Sequence, residues 1–267
     1  MTLENLNTQL VNAMRKLILF IFFFLSITAG FCWGPTGHRV TGMIAEKYLN
    51  KKAQREIQRI LNGQSLAIAS TWMDEIRSDS LYDYTSDWHW VTIPDGQGYE
   101  QTVKNKNGDV IQTIERIIKE LKSRKLNPKQ EAENLKMLVH LIGDIHQPLH
   151  VGRGTDRGGN NIKVMWFRVD SNLHRIWDSD MIDDTKLSYT ELAQSLDEPT
   201  EAQLQQWKKS TVMDWANESI ELRNNVYSYK GEKLGYEYSY RNFHHVRKRL
   251  LQAGIRIASV LNEIYGV

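Results

Sequence analysis

Two pairs of residues in this sequence have types and a spacing that suit metal binding. Residues 138–150 read "LVHLIGDIHQPLH", which places three histidines and an aspartate in an otherwise apolar segment. On a helix, His140 and Asp144 would share one face, a single turn apart. The same spacing recurs at His174 and Asp178 in "NLHRIWD". A carboxylate buried among leucine and isoleucine is normally paired or bound to a metal, and imidazole nitrogen with carboxylate oxygen is a set typical of zinc.

Further candidate ligands lie elsewhere in the chain, and each also has an ordinary interpretation. A single His–Asp pair on a helix can be a solvated or hydrogen-bonded pair. Asp74 in "STWMDEIRSD" can be a surface acid, and His89 in "DWHWV" a buried histidine with a backbone partner. The metal interpretation is favoured because burial is implied for several of these residues at once.

The periodicity of apolar residues indicates a mostly helical chain that could position these side chains. Three- and four-residue apolar spacing predicts helices at 38–49, 53–63, 111–122, 131–146, 201–228 and 242–265. The best strand candidates are 88–93 and 161–167, and 152–161 is a glycine-rich loop. We find no internal repeat and no linker within 33–267, so one domain is expected.

Length and composition restrict the functional class only weakly. A chain of 267 residues with 41% hydrophobic residues can build one sizeable core. The formal net charge is +2, so overall charge does not indicate a nucleic-acid partner. If the substrate is a polyanion, its attraction must come from local charge.

The first 32 residues are predicted to be a cleaved signal peptide. Two basic residues precede an apolar run from about 17 to 29, which suits a signal-peptide core better than a membrane span. Cleavage would fall before Trp33, and Met14 is a candidate start. An uncleaved anchor is the alternative, and a lipoprotein at Cys32 fits less well. The mature chain would be exported, periplasmic or secreted, not inserted in a membrane, and free of disulfides.

Six segments in this order make the chain similar to the zinc-dependent S1/P1 nucleases. They are "WGPTGH", "WMDEIR", "WHWV", "HLIGDIHQPLH", "DRGGNNIKV" and "NLHRIWD". The resemblance covers 33–267 and implies an all-α, single-domain multi-helix bundle of the zinc phospholipase C/nuclease type with a few short strands. It also implies three Zn²⁺ ions in a cleft.

Residue by residue, the resemblance assigns nine metal ligands. They are Asp74, His89, His140 and Asp144 for one zinc; Asp144 as a bridge, His38, and the amine and carbonyl of Trp33 for its neighbour; and His150, His174 and Asp178 for the third. Arg77 and Asn160 correspond to phosphate-contacting residues, and Asp74 and Asp144 also count among the catalytic groups. His146, although close by, is expected to be structural.

The function that this resemblance implies is an exported endonuclease that hydrolyses single-stranded DNA and RNA to 5′-phosphate products by metal-assisted hydrolysis. The charge of three Zn²⁺ ions would exceed that of the three ligand aspartates, so the site would carry the local positive charge that attracts a polyanion. No protein partner is implied, and 3′-nucleotidase activity is left open. Thr92 stands where fungal members have a base-reading aspartate, so base preference does not carry over.

Two alternatives to a nuclease stay open at this point. A zinc phospholipase C has a similar site, but there the acid of the second pair is a glutamate and the terminal tryptophan lies farther from the first histidine. Asp178 and the short "WGPTGH" spacing therefore favour the nuclease. The other alternative is a non-catalytic exported protein that binds zinc or nucleotides.

Overall fold

The computed structural model describes residues 33–267, and the all-α prediction is confirmed for that part of the chain. Its helices, numbered in chain order, are α1 Pro35–Tyr48, α2 Lys51–Ile60, α3 Leu66–Ala69, α4 Trp72–Glu75, α5 Val110–Ser123, α6 Pro128–Ile145, α7 Leu173–Arg175, α8 Met181–Asp183, α9 Tyr189–Ser195, α10 Glu201–Lys209, α11 Val212–Val226 and α12 Tyr236–Tyr265. The predicted signal peptide lies outside the described residues, so that prediction stays open. Within 33–267, we find no helix that has both the length and the apolar character needed to span a membrane.

The strands of this region are short, as expected. They are β1 Val91–Thr92, β2 Val151–Gly152, β3 Lys163–Trp166, β4 Val169–Asn172 and β5 Lys233–Leu234. β1 pairs in parallel with β2, and β3 lies between antiparallel β4 and parallel β5. The β1–β2 ladder matters for the site, because each of its strands directly continues a segment that carries a candidate ligand.

Two predicted elements differ from the structure. The strand predicted at 88–93 is wrong over its first half, because a run of 3₁₀ helix, Ser80–His89, extends to His89 before β1 begins. The stretch 201–228 is two helices, since Thr211 starts a new one. Its hydroxyl accepts from Asp214 N at 3.2 Å, and Asp214 Oδ2 accepts from Thr211 N at 2.7 Å, which is a capping box.

Helix α6 is the central element of the fold. It begins where Asn127 Oδ1 accepts from Gln130 N at 3.0 Å, and Pro128 fills the first helical position, which needs no N–H donor. Its second half is buried almost continuously and packs against α1, α5, α11 and α12. The polar pair His140 and Asp144 is therefore held inside the protein.

Helix α1 lies unusually close to its neighbours, and two glycines allow this. A Cβ at Gly254 of α12 would lie 2.5 Å from Ile44 Cβ, and one at Gly42 would lie 2.5 Å from the Leu66 carbonyl oxygen. Larger residues there would push α1 outward. This close packing fixes the depth at which α1 presents His38.

The buried apolar residues form two clusters. One surrounds α5 and α6, and the other contains tryptophans that are at most 6% exposed. They are Trp33, Trp166, Trp177 and Trp207. Most of the tryptophans therefore build the core, as expected, and only a few remain to contact a ligand.

Candidate metal centre

Asp144 lies at the centre of the first group of candidate ligands and is completely buried. Its Oδ2 is 3.0 Å from His89 Nδ1 and 3.3 Å from His140 Nε2, while its Oδ1 is 3.3 Å from His38 Nε2. Asp74, from α4, approaches the same place, with its Oδ1 3.9 Å from His140 Nε2. Four predicted ligands, which come from three helices and a 3₁₀ segment, thus meet around the carboxylate of Asp144.

This group contains two sets of three residues. In each set, the three donor atoms lie within 4.8 Å of one another. The sets are His38, His140 and Asp144, and Asp74, His89 and His140. His140 belongs to both sets, whereas the assignment from the family resemblance gave it to one zinc only. The rings of His38 and His140 are stacked with centroids 3.9 Å apart, so each ring limits the space into which the other can move.

A separate set contains His150, His174 and Asp178. Asp178 Oδ2 is 2.9 Å from His174 Nε2, and its Oδ1 is 3.7 Å from His150 Nε2. Asp178 lies in a π-helical segment, Ile176–Asp180, which follows α7 directly. Single π-helical turns recur at functional sites because they re-aim one side chain within a helix.

Backbone carbonyls orient three of the histidines. In each, Nδ1 lies 2.7 Å from a carbonyl oxygen, which leaves Nε2 facing the carboxylates. The pairs are His140 with Ser70, His150 with His89, and His174 with Gly158. Such carbonyl contacts fix the tautomer and orientation of metal-binding histidines.

The glycine-rich loop supplies one of these carbonyls. Gly158 has a φ of +59°, and a Cβ there would lie 2.4 Å from Leu149 O. Only glycine fits both conditions without strain. The loop can therefore lie directly against the third set.

Several buried donor and acceptor atoms at this centre make no hydrogen bond with any described residue. They include His38 Nε2, Asp144 Oδ1 and His150 Nε2. Leaving such groups buried without a partner is costly, by roughly 1–3 kcal/mol for each neutral group and more for a charged one. Convergent nitrogen and oxygen donors without a proton partner fit a divalent metal, and their chemistry fits zinc.

The pKa shifts agree with a dense set of acids and imidazoles. Burial opposes ionisation of Asp144, but His140, His38 and His89 outweigh it and hold its pKa well below the usual range. Burial likewise opposes protonation of His150, yet Asp178 and Asp144 raise its pKa to about 9. Without a cation, His150 would thus carry a proton at neutral pH, and a metal would have to displace that proton.

Trp33, the predicted new N-terminus, is fully buried beside this centre. Its indole Nε1 donates to Gly143 O at 2.8 Å, next to Asp144. Gly34 N donates to Asp178 O at 2.7 Å. The backbone at 33–34 is therefore held between the two regions of candidate ligands, which is the position its predicted ligand role needs.

The two predicted phosphate-contacting residues have different surroundings. Arg77 Nη1 lies 3.3 Å from Asp74 Oδ1, and its side chain is 27% exposed, so its guanidinium lies at the edge of the first group. The loop of Asn160 contacts His174, but the Asn160 amide Nδ2 donates to Arg157 O at 3.0 Å. The structure thus places Asn160 near the third set with one amide hydrogen already used.

Sequence reasoning missed Gln147 at this centre and also the exposed Trp90, which is next to His89 in the chain. Gln147 is fully buried; its amide Nε2 donates to Asp178 Oδ1, and its Oε1 accepts from Leu149 N. A polar residue at the bend before Pro148 was the only signal for it. Trp90 directly follows His89 and is 40% exposed, which is unusual for so large an aromatic side chain.

Comparison with known proteins decides the family. A family model described as S1/P1 nuclease matches residues 33–266. The chain belongs to the S1/P1 nuclease family. Endonuclease 4 of Arabidopsis thaliana is 34% identical over 278 residues, which covers 90% of this chain and 91% of that protein. Nuclease P1 of Penicillium citrinum is 32% identical over 158 residues, which covers 56% of this chain and 58% of that protein.

Membership confirms the predicted enzyme class. S1/P1 nucleases are zinc enzymes, and this chain is accordingly a hydrolase that acts on the phosphodiester bonds of nucleic acid. Its described residues contain three groups of candidate metal ligands. The ligand role of each residue stays a prediction, as do the identity and number of the metal ions.

Proposed function

We propose that the mature chain, starting at Trp33, is an exported three-zinc endonuclease that cuts single-stranded DNA and RNA and leaves 5′-phosphates. The observation that carries this proposal is the convergence of all five predicted histidines and three predicted aspartates into buried groups around one part of α6. Separate surface pairs would have supported the ordinary interpretation instead.

Three groups of candidate ligands support a proposal of three cations. The first would lie among Asp74, His89, His140 and Asp144, and its neighbour among Asp144, His38 and the α-amine and carbonyl of Trp33. The third would lie among His150, His174 and Asp178. When bound, zinc ions supply Lewis acidity, which lowers the pKa of water and offsets the negative charge of a phosphodiester.

The chain's own side chains have distinct tasks in this proposal. Asp74 is 13% exposed, and although burial opposes its ionisation, the nearby histidines lower its pKa. At neutral pH its carboxylate can therefore accept a hydrogen bond from the attacking water. Arg77 can donate to a non-bridging phosphate oxygen, because its partly exposed guanidinium lies at the edge of the first group and can bind a phosphate through two N–H groups. Asn160 can do the same from the opposite loop.

Preference for single strands has a physical basis in these surroundings. The candidate ligands are buried. The nucleotides that flank a phosphodiester must therefore leave the helical stack before that phosphodiester can reach the ligands. The exposed face of Trp90 can then stack an unpaired base without reading its identity, since every base has a π-face. Stacking of this kind favours a single strand, because its bases are unpaired and can turn toward the indole.

A substrate comparison tests this proposal. One zinc-loaded preparation of the mature chain is given single-stranded DNA, RNA, duplex DNA and phosphatidylcholine, each with a chelated control. We expect cleavage of both single-stranded substrates to 5′-phosphate ends and much slower cleavage of the duplex. Hydrolysis of phosphatidylcholine alone would favour the phospholipase, and turnover that survives full chelation would refute a metal-dependent site.

A further inference from the structure

A buried cluster of charged residues lies beside the end of α6, and the chemistry proposed above does not use it. We call it the arginine cluster; it consists of His146, Glu218, Ser219, Arg249 and Arg256. Arg249 and Arg256, on α12, are 3% and 1% exposed. Burying two guanidinium groups is expensive and is not required for a stable core, so a specific role is worth seeking.

The cluster caps the last carbonyls of α6, which have no partner within the helix itself. Ser219 Oγ donates to Ile145 O at 2.7 Å, and Arg249 Nε donates to His146 O at 2.9 Å. The ring of His146 turns back so that its Nδ1 donates to Ile142 O at 2.7 Å. Three successive contacts thus fix the path of the chain immediately after Asp144.

Arg256 holds the other side of the His146 ring. Its Nη1 lies 2.8 Å from His146 Nε2, and its Nη1 and Nη2 bind both carboxylate oxygens of Glu218 at 2.6 and 2.7 Å. A guanidinium offers only donors, so His146 Nε2 is the acceptor in this contact, while Nδ1 is the donor to Ile142 O. The imidazole is therefore locked at both nitrogens.

We infer that the arginine cluster positions the metal ligands, acting through His146. Asp144 lies two residues before His146, and His150 lies four residues after it. Between them, Gln147 donates to Asp178 of the third set. A shift of the backbone at 146–147 would therefore disturb both regions of the metal centre together. This inference rests on the metal assignment proposed above.

The test compares Arg256→Met with a control on the same helix. Arg256→Met removes the contacts to His146 and Glu218. Asn262→Ala removes two contacts of α12 that lie away from α6, namely Asn262 Nδ2 to Tyr48 O at 3.0 Å and Asn50 N to Asn262 Oδ1 at 2.8 Å. Zinc affinity is measured by competition with a chelator, the ligand geometry by the visible spectrum of the Co²⁺-loaded protein, and turnover as kcat and KM separately.

We expect Arg256→Met to weaken zinc binding by about 10- to 100-fold, the usual effect of losing a residue that orients a ligand. Its Co²⁺ spectrum should change, and kcat should fall with little change in KM. Arg256→Lys keeps the charge and one donor and should lie in between. Asn262→Ala should lower the melting temperature while zinc affinity and the Co²⁺ spectrum stay as in the wild type.

Unchanged zinc affinity and an unchanged spectrum in a folded Arg256→Met protein would overturn the inference and leave the cluster a purely structural role. If that variant does not fold, Glu218→Gln carries the same comparison, because the Glu218 side chain is 31% exposed and the change preserves its volume. Wild-type protein that binds no zinc would instead refute the proposed function.

Discussion

Replacing Gly143 with alanine should weaken the metal centre more than it destabilises the fold. Gly143 lies in α6, directly before Asp144, and a Cβ there would lie 2.9 Å from His38 Nδ1 and 3.1 Å from His38 Cε1. The ring of His38 cannot easily retreat, because it stacks on His140 at 3.9 Å and faces Asp144. The added methyl group therefore pushes against a predicted ligand.

The size of this effect follows from the distances. Ordinary carbon contacts begin near 3.4 Å, so the ring must move by about 0.5 Å. Metal–ligand distances tolerate changes of about 0.2 Å, so we expect zinc at His38 to bind roughly 10- to 100-fold more weakly, as when ligand orientation is lost. The free energy of unfolding should change less, because the helix preference of alanine over glycine, about 1 kcal/mol, offsets part of the cost of overpacking, about 1–3 kcal/mol.

Zinc content, kcat on single-stranded DNA and the urea midpoint of the apo protein would be measured together. Gly98→Ala is a neutral control, because the nearest atom to its Cβ would be 3.8 Å away. Gly266→Ala is the opposite control, since its Cβ would lie 2.5 Å from Asn262 O at the C-terminal end of α12; this variant should lower stability but leave zinc content intact. Full zinc content and wild-type kcat in Gly143→Ala would refute the placement of His38 as a ligand.

Four further outcomes are expected. Asp144→Asn should lower kcat by at least about 100-fold and remove more than one zinc per chain, because its carboxylate is shared; a zinc assay that shows a single loss would count against the bridge. A chain with extra residues before Trp33 should bind fewer zinc ions than one that starts at Trp33, because an amide nitrogen replaces the amine, and equal activity of the two would contradict this. Trp90→Ala should raise KM for single-stranded substrates with little change in kcat. An unchanged KM in steady-state kinetics would contradict a stacking role for Trp90. In the apo protein the pKa of His150 is raised to about 9, so His150 contributes stability that is complete below about pH 6.5 and is lost as the pH rises to about 9. Urea unfolding of the zinc-free protein should show this loss. The same loss with zinc bound would argue against His150 as a ligand.

Local periodicity was sufficient to predict the main helices and the pairing of His140 with Asp144. Four-residue spacing on a helix fixes a shared face, and the structure places Nε2 and Oδ2 of that pair 3.3 Å apart. It could not place His38 beside them, because that contact spans about a hundred residues. That expectation came from the family resemblance.

The features that sequence did not predict are likewise non-local. Gln147 meets Asp178 across 31 residues and a π-helical turn that has no simple sequence signature. From sequence, Arg249 and Arg256 would be assigned to the solvent-exposed side of a long amphipathic helix. Both are buried, and their guanidinium groups donate to Glu218 and His146. A charge pattern alone cannot reveal a partner contributed by another helix.

The most direct test of the central claim is a zinc titration of the metal-free mature chain, with the rate on single-stranded DNA followed at each addition. The proposed centre predicts that three zinc ions bind per chain and that full activity requires all three. Full activity with a single ion, or a chain that never retains more than one, would contradict a centre built from these five histidines, three aspartates and Trp33.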